Sequence, residues 1–222
     1  MQAQAYLLRN AVIYDGTGRP PIRSNLLILG TRISLMGKID DSDLPVRPIT
    51  IDCTGLCVSP GFIDMHSHSD SGLPLYPDAE CLIRQGITTT IGGNCGSSAA
   101  GIPYEDEAEW KPYLEAGIAK WNGLAEYLST IDSIQPAVNI GMLTGHGDLR
   151  RIVSNETGAA LDSNQKARLN SLAKESILQG AFGVSSGLEY VPGRFASLDE
   201  LIELSKGAAR FNGIHASHIR NE

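Results

Sequence analysis

Two histidines separated by one residue are the first candidates for metal chemistry in this sequence. His66 and His68 follow a β-rich run, and Asp64 precedes them at the same spacing. A spacing of two places side chains on one face of a strand. Paired imidazoles beside a carboxylate suit a divalent metal. The alternative is a pair of strand-end histidines that face solvent or form hydrogen bonds in a core, and the pair alone does not choose between the two.

Cys95 is a second candidate ligand, because it lies in a glycine-rich segment, residues 92–96, just after a predicted strand. A thiolate in such a place is well suited to zinc. Free cysteine is more often a small buried apolar side chain, and Cys53, Cys57 and Cys81 fit that ordinary role. Four cysteines are too few for a disulfide scaffold. With no secretory signal in the first residues, they indicate reduced thiols in a cytoplasmic protein.

The remaining three histidines lie in or just after predicted strands. His218 ends a strand near the carboxyl edge, where barrel active sites lie, and is therefore the candidate metal ligand of the three. His215, three residues earlier, points to the other face and is expected to face the helical layer. His146 lies between two glycines, which usually means exposure to a pocket or to solvent. It is a candidate substrate-binding or proton-transfer residue.

A Gly-x-Ser-x-Gly sequence at residues 183–187 raises a rival chemistry with Ser185 as nucleophile. That motif carries meaning where a strand turns sharply into a helix. Here a loop of about ten residues follows before the next predicted helix. Small residues are also what a tight strand end requires. A serine hydrolase is therefore the disfavoured alternative.

The elements that must position these residues change in type near Pro60. Before it, short β-rich runs are separated by turn clusters; they are residues 5–8, 12–14, 25–29, 33–36, 50–53 and 56–59. After it, predicted strands alternate with predicted helices. The strands are residues 62–66, 87–91, 137–143, 181–185 and 213–218, and the helices are residues 78–85, 105–131 (broken at Gly117 and Gly123), 163–179 and 197–210. Such alternation predicts a parallel sheet with right-handed crossovers.

An open doubly wound sheet and a (β/α)8 barrel both satisfy this alternation. The first strand is followed by no glycine fingerprint of the kind that a dinucleotide-binding sheet requires. A barrel typically takes about 250 residues, whereas 222 − 60 = 162 residues follow Pro60. The sequence therefore predicts the α/β class, with an all-β segment at 1–60 and five strands of a parallel sheet at 61–222. If that sheet is a barrel, about three of its strands are absent.

Composition excludes several classes of partner. The 18 Lys and Arg residues are scattered and the formal net charge is -7, which argues against nucleic acid. No run of eighteen apolar residues occurs, so no membrane-spanning helix is predicted. Small anionic substrates are compatible with this charge, because one cationic side chain suffices to bind a carboxylate.

The motifs together resemble those of the amidohydrolase superfamily. Segment 51–68, which contains Pro60-Gly61 and ends on His66-Ser-His68, looks like the entry into that superfamily's barrel. The early Asp15-Gly-Thr-Gly and its surroundings resemble its small β-sandwich domain. More narrowly, the chain looks like the N-terminal part of the D-aminoacylase branch, the N-acyl-D-amino-acid deacylases. The motifs that carry this are Gly92-Gly-Asn-Cys95-Gly, Thr144-Gly-His146-Gly, Gly187-Leu-Glu-Tyr190 and Ser217-His218-Ile-Arg220.

The resemblance implies an incomplete (β/α)8 metal-dependent-hydrolase barrel preceded by part of a β-sandwich. Cys95 and His218 would hold a tightly bound Zn2+ with a histidine of the sixth strand. His66 and His68 would form a second, weaker metal position with a catalytic aspartate after the eighth strand. Both of those partners are expected beyond residue 222, so these 222 residues alone are expected to have little activity.

The fourth predicted strand favours this branch over other amidohydrolases. Relatives such as dihydroorotases and hydantoinases use a carboxylated lysine after the fourth strand. Here that strand runs into Ser185-Ser-Gly-Leu-Glu, which contains no lysine. Cys95 supplies the alternative anionic ligand.

The implied function is zinc-dependent hydrolysis of the amide bond of N-acyl-amino acids, with D-enantiomers as the expected small-molecule substrates. His146, Tyr190 and Arg220 are the candidate substrate-binding residues. An arginine fork suits a carboxylate, although Arg220 fits a structural role equally. One alternative is another amidohydrolase activity, such as cyclic-amide hydrolysis. A second is a non-catalytic binding protein on the same scaffold, which need hold no metal. The oligomeric state is left open.

Overall fold

The computed structural model describes residues 4–44, 47–101, 106–154 and 158–221. They divide into two units, Met1–Gly61 and Phe62–Glu222. The division falls where the sequence pattern changes from β-rich runs to strand–helix alternation. The assignment of the two parts to a β-sandwich and to a truncated barrel remains a prediction.

The first unit is built on a five-stranded mixed sheet. Its strands are β1 (Ala5–Ile13), β2 (Ile22–Leu29), β3 (Arg32–Gly37), β4 (Ile49–Asp52) and β5 (Cys57–Val58). The order is β3-β2-β1-β4, and β5 also pairs with β1. The pairings β1–β2 and β2–β3 are antiparallel, whereas β4 and β5 run parallel to β1. Two small groups of apolar side chains from this sheet are buried; they include Leu7, Leu27, Ala11 and Leu26.

The structure joins two runs that the sequence separates, residues 5–8 and 12–14, into the single strand β1. Its register against β2 shifts between Leu8 and Ala11. Asn10, inside the shift, has a φ of 63°, and its main-chain N–H donates to Asn25 Oδ1 at 3.0 Å. A β-bulge of this kind bends a strand without ending it.

The second unit contains a curled sheet of five parallel strands, which confirms the predicted parallel arrangement. The strands are β6 (Phe62–Asp64), β7 (Ile87–Gly92), β8 (Asn139–Gly145), β9 (Gly183–Gly187) and β10 (Ile214–His218). Their order in the sheet is their order in the chain, and every neighbouring pair is parallel. Parallel neighbours bring their carboxyl ends to one edge, so the segments after β6 to β10 gather there.

Helices connect these strands. They are α1 (Ser69–Gly72), α2 (Glu80–Ile83), α3 (Glu107–Glu115), α4 (Leu124–Ile134), α5 (His146–Val153), α6 (Ser163–Leu178) and α7 (Leu198–Ala209). Gly117 and Gly123 lie between α3 and α4, as predicted, while residue 105 lies outside the described residues. The side chain of Asp162 caps α6 by accepting from the N–H of Gln165, and Ser197 caps α7 by accepting from the N–H of Glu200. None of the helices described has the length and apolar character needed to cross a membrane.

The sheet is covered by two groups of buried side chains. One contains four aromatic rings, Trp110, Tyr113, Trp121 and Tyr127, whose edge-to-face contacts have centroid distances of 4.7 to 5.9 Å. The other lies under α5, α6 and α7 and includes Leu149, Leu161, Leu169, Val184 and Leu204. Because protein interiors are close-packed, these two buried groups hold the strands, and hence the strand ends, in fixed positions.

Candidate metal centre

Side chains from the segments after β6 and β7 meet at the carboxyl edge of the sheet. His66 Nε2 lies 3.2 Å from Cys95 Sγ. One potential ligand atom from each of His66, His68 and Cys95 falls within 4.8 Å of the others. Zinc bonds to nitrogen and sulfur are about 2.0–2.3 Å long, which places ligand atoms around one ion roughly 3–4 Å apart. The distance from His66 to Cys95 lies in that range, and the other separations among the three atoms are no longer than 4.8 Å.

His218 is the last residue of β10, which is the edge strand opposite β6 in the sheet. Its side chain also lies beside Cys95. Its Nδ1 lies 3.6 Å from Cys95 Sγ, and its Nε2 lies 3.0 Å from Glu189 Oε2. A carboxylate on one ring nitrogen holds the proton there, so the other nitrogen can act as a ligand. Glu189 was not singled out from the sequence. The sequence feature that could have identified it is an acidic residue two positions after the end of β9.

The two histidines after β6 do not lie on the strand, because the predicted strand is present but ends two residues earlier than expected, at Asp64. Strand β6 ends at Asp64, whose Oδ1 accepts from the N–H of His66 at 3.1 Å. His68 immediately precedes α1. The rings of His66 and His68 nevertheless stay together, with centroids 5.8 Å apart and planes at 72°.

Cys95 lies in a tight loop after β7 with a left-handed backbone. Its φ is 55°, and the neighbouring Gly93 and Gly96 have φ of 72° and 79°. Glycine adopts this region freely, whereas other residues do so rarely. Asn94, which is buried, supports the loop by donating from Nδ2 to the carbonyl of Ile91 at 2.8 Å.

Burial raises the pKa of the Cys95 thiol. A raised pKa favours the neutral thiol at neutral pH unless a cation lies beside it. A coordinated divalent metal is such a cation and deprotonates a ligating thiol. One sulfur and three imidazoles also form a donor set that suits zinc. The residues present therefore fit a zinc ion.

A cavity of about 230 Å³ opens next to these donors. Its walls include His68, Cys95, Arg151, Gly187 and Tyr190. The Tyr190 ring packs edge-on against His218, with centroids 4.8 Å apart, and about half of the residue is exposed. The cavity therefore gives a small molecule access to the donors, with an aromatic and a cationic side chain beside it.

His146 was expected at a pocket or in solvent, and that expectation is wrong. The residue is completely buried, and its Nε2 lies 2.7 Å from Glu200 Oε1. The glycines around it do not form an open loop, because α5 begins at His146 and turns the side chain into the interior. Its Nδ1 has no hydrogen-bond partner among the described residues.

Two other predicted residues have clear positions. Arg220 donates to the main-chain carbonyl oxygens of Arg194 and Ala196, at 3.0 Å for the latter, which is the structural role that the sequence left open. Its role in carboxylate binding remains a prediction. His215 Nδ1 lies 2.9 Å from the hydroxyl of Ser205 in α7, which confirms that it faces the helical layer.

Ser185 does not have the surroundings of a nucleophile. It is completely buried, its hydroxyl donates to the carbonyl of Gly93, and it accepts from the N–H of Gly96. A catalytic serine needs a base beside its proton, and here a main-chain carbonyl receives that proton. The geometry therefore gives no support to the serine-hydrolase alternative.

Buried charges in the second unit were also missed from the sequence. Glu200 accepts from Arg150 Nε at 2.8 Å as well as from His146. Burial alone would raise the pKa of Glu200, but the hydrogen bonds and the charges of His146 and Arg150 together outweigh it and lower the pKa. Burial raises the pKa of Asp148 to about 7, although Ser98 and Arg151 donate to it.

Known proteins resemble this chain closely. Residues 50–199 match the model of the amidohydrolase family. A D-aminoacylase of Alcaligenes xylosoxydans xylosoxydans is 34% identical over 217 residues, which are 97% of this chain and 44% of that protein. The chain thus spans less than half the length of the curated relatives that it matches.

Solved structures resemble the fold over the same extent. N-acyl-D-glutamate deacylase from Bordetella bronchiseptica, complexed with zinc and a phosphonate mimic of the tetrahedral intermediate, has a TM-score of 0.86 at 32% identity. The match covers 100% of this chain and 46% of that one. A D-aminoacylase described with a binuclear metal centre has a TM-score of 0.84 at 30% identity, over 98% of this chain and 45% of that one.

Proposed function

This chain belongs to the amidohydrolase family, and from that premise we propose that its protein hydrolyses the amide bond of N-acyl-amino acids with the help of bound zinc. The D-enantiomers are the proposed substrates, since the relatives named above act on D-amino-acid derivatives. The proposed ligands among the described residues are His66, His68, Cys95 and His218.

The single observation that carries this proposal is the meeting of those four side chains. They come from three strand ends, and Cys95 is close to both His66 and His218, at 3.2 and 3.6 Å. Residues 95 and 218 are 123 positions apart in the chain. Ordinary packing does not need a thiol between imidazoles at a solvent-accessible edge, whereas sulfur and imidazole donors gathered at one place are typical of a zinc site.

Each side chain has a stated task in the proposed chemistry. When bound, zinc lowers the pKa of a coordinated water toward about 7 and polarises a substrate carbonyl. Cys95 supplies the anionic sulfur, and Glu189 orients His218 through Nε2. Asp64 fixes the turn that carries His66, because its carboxylate accepts the His66 N–H. The protein thus presents a preformed set of donors at the mouth of the cavity.

The cavity is the proposed substrate site. Tyr190 and Arg151 line it, so an aromatic face and a guanidinium lie near the proposed metal. Arg151 Nη1 is 3.0 Å from Asp148 Oδ1 and its side chain is 46% exposed, which leaves it accessible to a substrate carboxylate. His146 and Arg220 were also predicted to bind substrate. Because their side chains are engaged with Glu200 and with main-chain carbonyls, we assign substrate contact to Tyr190 first.

The test is zinc analysis combined with amine-release kinetics on the intact protein at its natural length. N-acetyl-D-amino acids, their L-enantiomers and a hydantoin are compared as substrates. We expect zinc in the purified protein, turnover of the D-substrates, and loss of turnover on chelation or in Cys95→Ala. Cys81→Ala is the matched control, since Cys81 is exposed. The buried role expected of Cys57 and Cys81 from the sequence is wrong, whereas Cys53 is buried as expected.

Three outcomes would contradict the proposal in different ways. Turnover confined to the hydantoin would favour cyclic-amide hydrolysis. Substrate binding without zinc or turnover would favour a binding protein. Chelator-resistant turnover that is lost in Ser185→Ala would restore the serine-hydrolase alternative.

A further inference from the structure

The hydroxyl of Ser185 makes two hydrogen bonds to main-chain atoms, one on each side of Cys95. Its Oγ lies 2.6 Å from the carbonyl oxygen of Gly93 and 2.9 Å from the nitrogen of Gly96. A serine hydroxyl has one proton to donate and lone pairs to accept. Ser185 therefore donates to the residue two positions before Cys95 and accepts from the residue just after it.

The loop held by these bonds has a backbone that needs outside support. Cys95 has a φ of 55°, in the left-handed region that a non-glycine residue occupies only at a cost in free energy. Such a conformation persists when surrounding contacts determine it. The two bonds to Ser185 fix the main chain on both sides of the strained residue.

The rest of the loop is held against rigid elements as well. The N–H of Gly147, in α5, donates to the carbonyl of Gly96 at 2.8 Å. A Cβ on Gly93 would overlap the carbonyl of Leu143, in β8. The loop is thus seated on β8 and α5, and Ser185 ties it to β9.

The side-chain direction of Cys95 depends on this backbone. Its Sγ reaches His66 and His218 from a loop whose φ angles at positions 93, 95 and 96 are all positive. If the loop relaxed to ordinary backbone angles, Cα and Cβ of Cys95 would rotate and Sγ would move away from the histidines. Metal affinity is sensitive to such shifts, because partners that orient a ligand typically contribute roughly 10–100-fold.

We propose that Ser185 is a positioning residue for the metal centre: its buried hydroxyl holds the Cys95 loop in the conformation that points the thiol at the histidines. This rests on the proposed function, since it presumes that Cys95 is a ligand. It also gives the Gly-x-Ser-x-Gly motif a purpose other than nucleophilic attack. The serine acts through Cys95 and does not touch the reacting atoms.

Ser186 provides a matched control. It is the next residue of β9 and is equally buried, but its Oγ lies near His215 Nε2 and Ser217 Oγ, at 3.0 and 2.9 Å. Neither partner belongs to the Cys95 loop. Replacing each serine by alanine therefore removes the same group from adjacent buried sites, and only one of the two sites supports Cys95.

The experiment is a cobalt(II) titration of the intact protein against a competing chelator. Wild type, Ser185→Ala and Ser186→Ala are compared by affinity and by the thiolate-to-cobalt charge-transfer absorption per bound ion. We expect Ser185→Ala to bind cobalt roughly 10–100-fold more weakly and with a reduced charge-transfer band. Ser186→Ala should stay within about twofold on the same scale. Thermal unfolding of each metal-free variant separates this effect from a general loss of stability.

Wild-type affinity and an unchanged band in Ser185→Ala would overturn the proposal, as would equal losses in the two alanine variants. Should Ser185→Ala fail to fold, the pair Ser185→Thr and Ser185→Val carries the test, because the two side chains share a shape and differ in the hydroxyl. We then expect the threonine variant to bind cobalt more tightly than the valine variant, and equal binding would refute the role of the hydroxyl. A wild-type protein that binds no cobalt through sulfur would instead sink the proposed function itself.

Discussion

The main chain of Gly187 lies directly against the carbonyl oxygen of Cys95. A Cβ built on Gly187 would overlap that oxygen and also approach the ring of Tyr190. The end of β9 and the loop after β7 are therefore in contact through backbone atoms. A side chain at position 187 would have to push one of them away.

We therefore expect Gly187→Ala to weaken zinc binding. Overpacking of this kind costs about 1–3 kcal/mol, and about 1.4 kcal/mol corresponds to a tenfold change in affinity. If the Cys95 loop moves to relieve the overlap, zinc affinity should fall roughly 5- to 140-fold. A chelator-competition titration measures it. Gly158→Ala is the control, because a Cβ there meets no atom of the described chain within 4 Å.

The second prediction concerns Glu189. Its Oε2 is 3.0 Å from His218 Nε2, and it keeps the other ring nitrogen directed toward Cys95. Removing a carboxylate that orients a metal-binding histidine typically costs roughly 10–100-fold in metal affinity. Glu189→Ala should show a loss in that range by the same titration.

Glu189→Gln tests the cause. The amide oxygen still accepts from the Nε2–H, so the glutamine variant should recover much of the affinity that alanine loses. Equal losses in the two variants would mean that the negative charge, and not the orientation of His218, supports the site.

The convergence of Cys95 and His218 could be predicted from sequence, because Cys95 follows one strand of the parallel sheet and His218 ends another. Strand–helix alternation fixes the direction of every strand, and parallel strands bring their carboxyl ends to one edge. The positions of these residues at or after strand ends therefore indicated that they would be neighbours, without any knowledge of side-chain contacts. The exact end of β6 mattered little, since the turn after Asp64 keeps the two histidine rings together.

The burial of His146 could not be predicted in this way. Its partner Glu200 lies 54 positions away on a helix, and sequence periodicity does not reveal which polar residues pair in the interior. Flanking glycines suggested an open loop, but here they serve close packing: a Cβ on Gly145 or Gly147 would meet the carbonyl group of Gly96 at 2.5 to 2.7 Å. A glycine permits close packing as well as an open loop. Which of the two occurs depends on the residues that surround it in the fold, and the local sequence does not show them.

The third prediction concerns the buried charges around Glu200. Its Oε1 accepts from Arg150 Nε at 2.8 Å and from His146 Nε2 at 2.7 Å, and all three side chains are buried. Glu200→Gln removes the negative charge that Glu200 places beside the guanidinium of Arg150. Breaking a buried ion pair from one side costs about 3–5 kcal/mol of unfolding free energy. Chemical denaturation of the metal-free protein measures it.

The control for that experiment is Glu203→Gln in the same helix. Glu203 pairs with Lys206, whose side chain is 61% exposed. Pairs at the surface contribute about 0–1 kcal/mol, so the control should change stability by no more than that. A Glu200→Gln variant as stable as the control would show that the carboxylate is not needed to balance Arg150.

The last prediction is a dependence of stability on pH that arises from Asp148. Burial raises the pKa of its carboxyl to about 7 from the ordinary 3.8, against the hydrogen bonds from Ser98 and the charge of Arg151. At a pH between 3.8 and about 7, the Asp148 carboxyl keeps its proton in the folded protein and has released it in the unfolded chain. The contribution to stability is therefore fully present below about pH 4 and is lost as the pH rises through about 7.

Asp148→Asn cannot ionise, so its free energy of unfolding should fall less than that of wild type between about pH 5 and pH 8. Denaturation of both proteins in metal-free form across that range gives the difference directly, and Asp132→Asn, at an exposed position of α4, serves as control. Parallel pH profiles for wild type and Asp148→Asn would show that Asp148 is already ionised in the folded protein at pH 5, held so by Ser98 and Arg151.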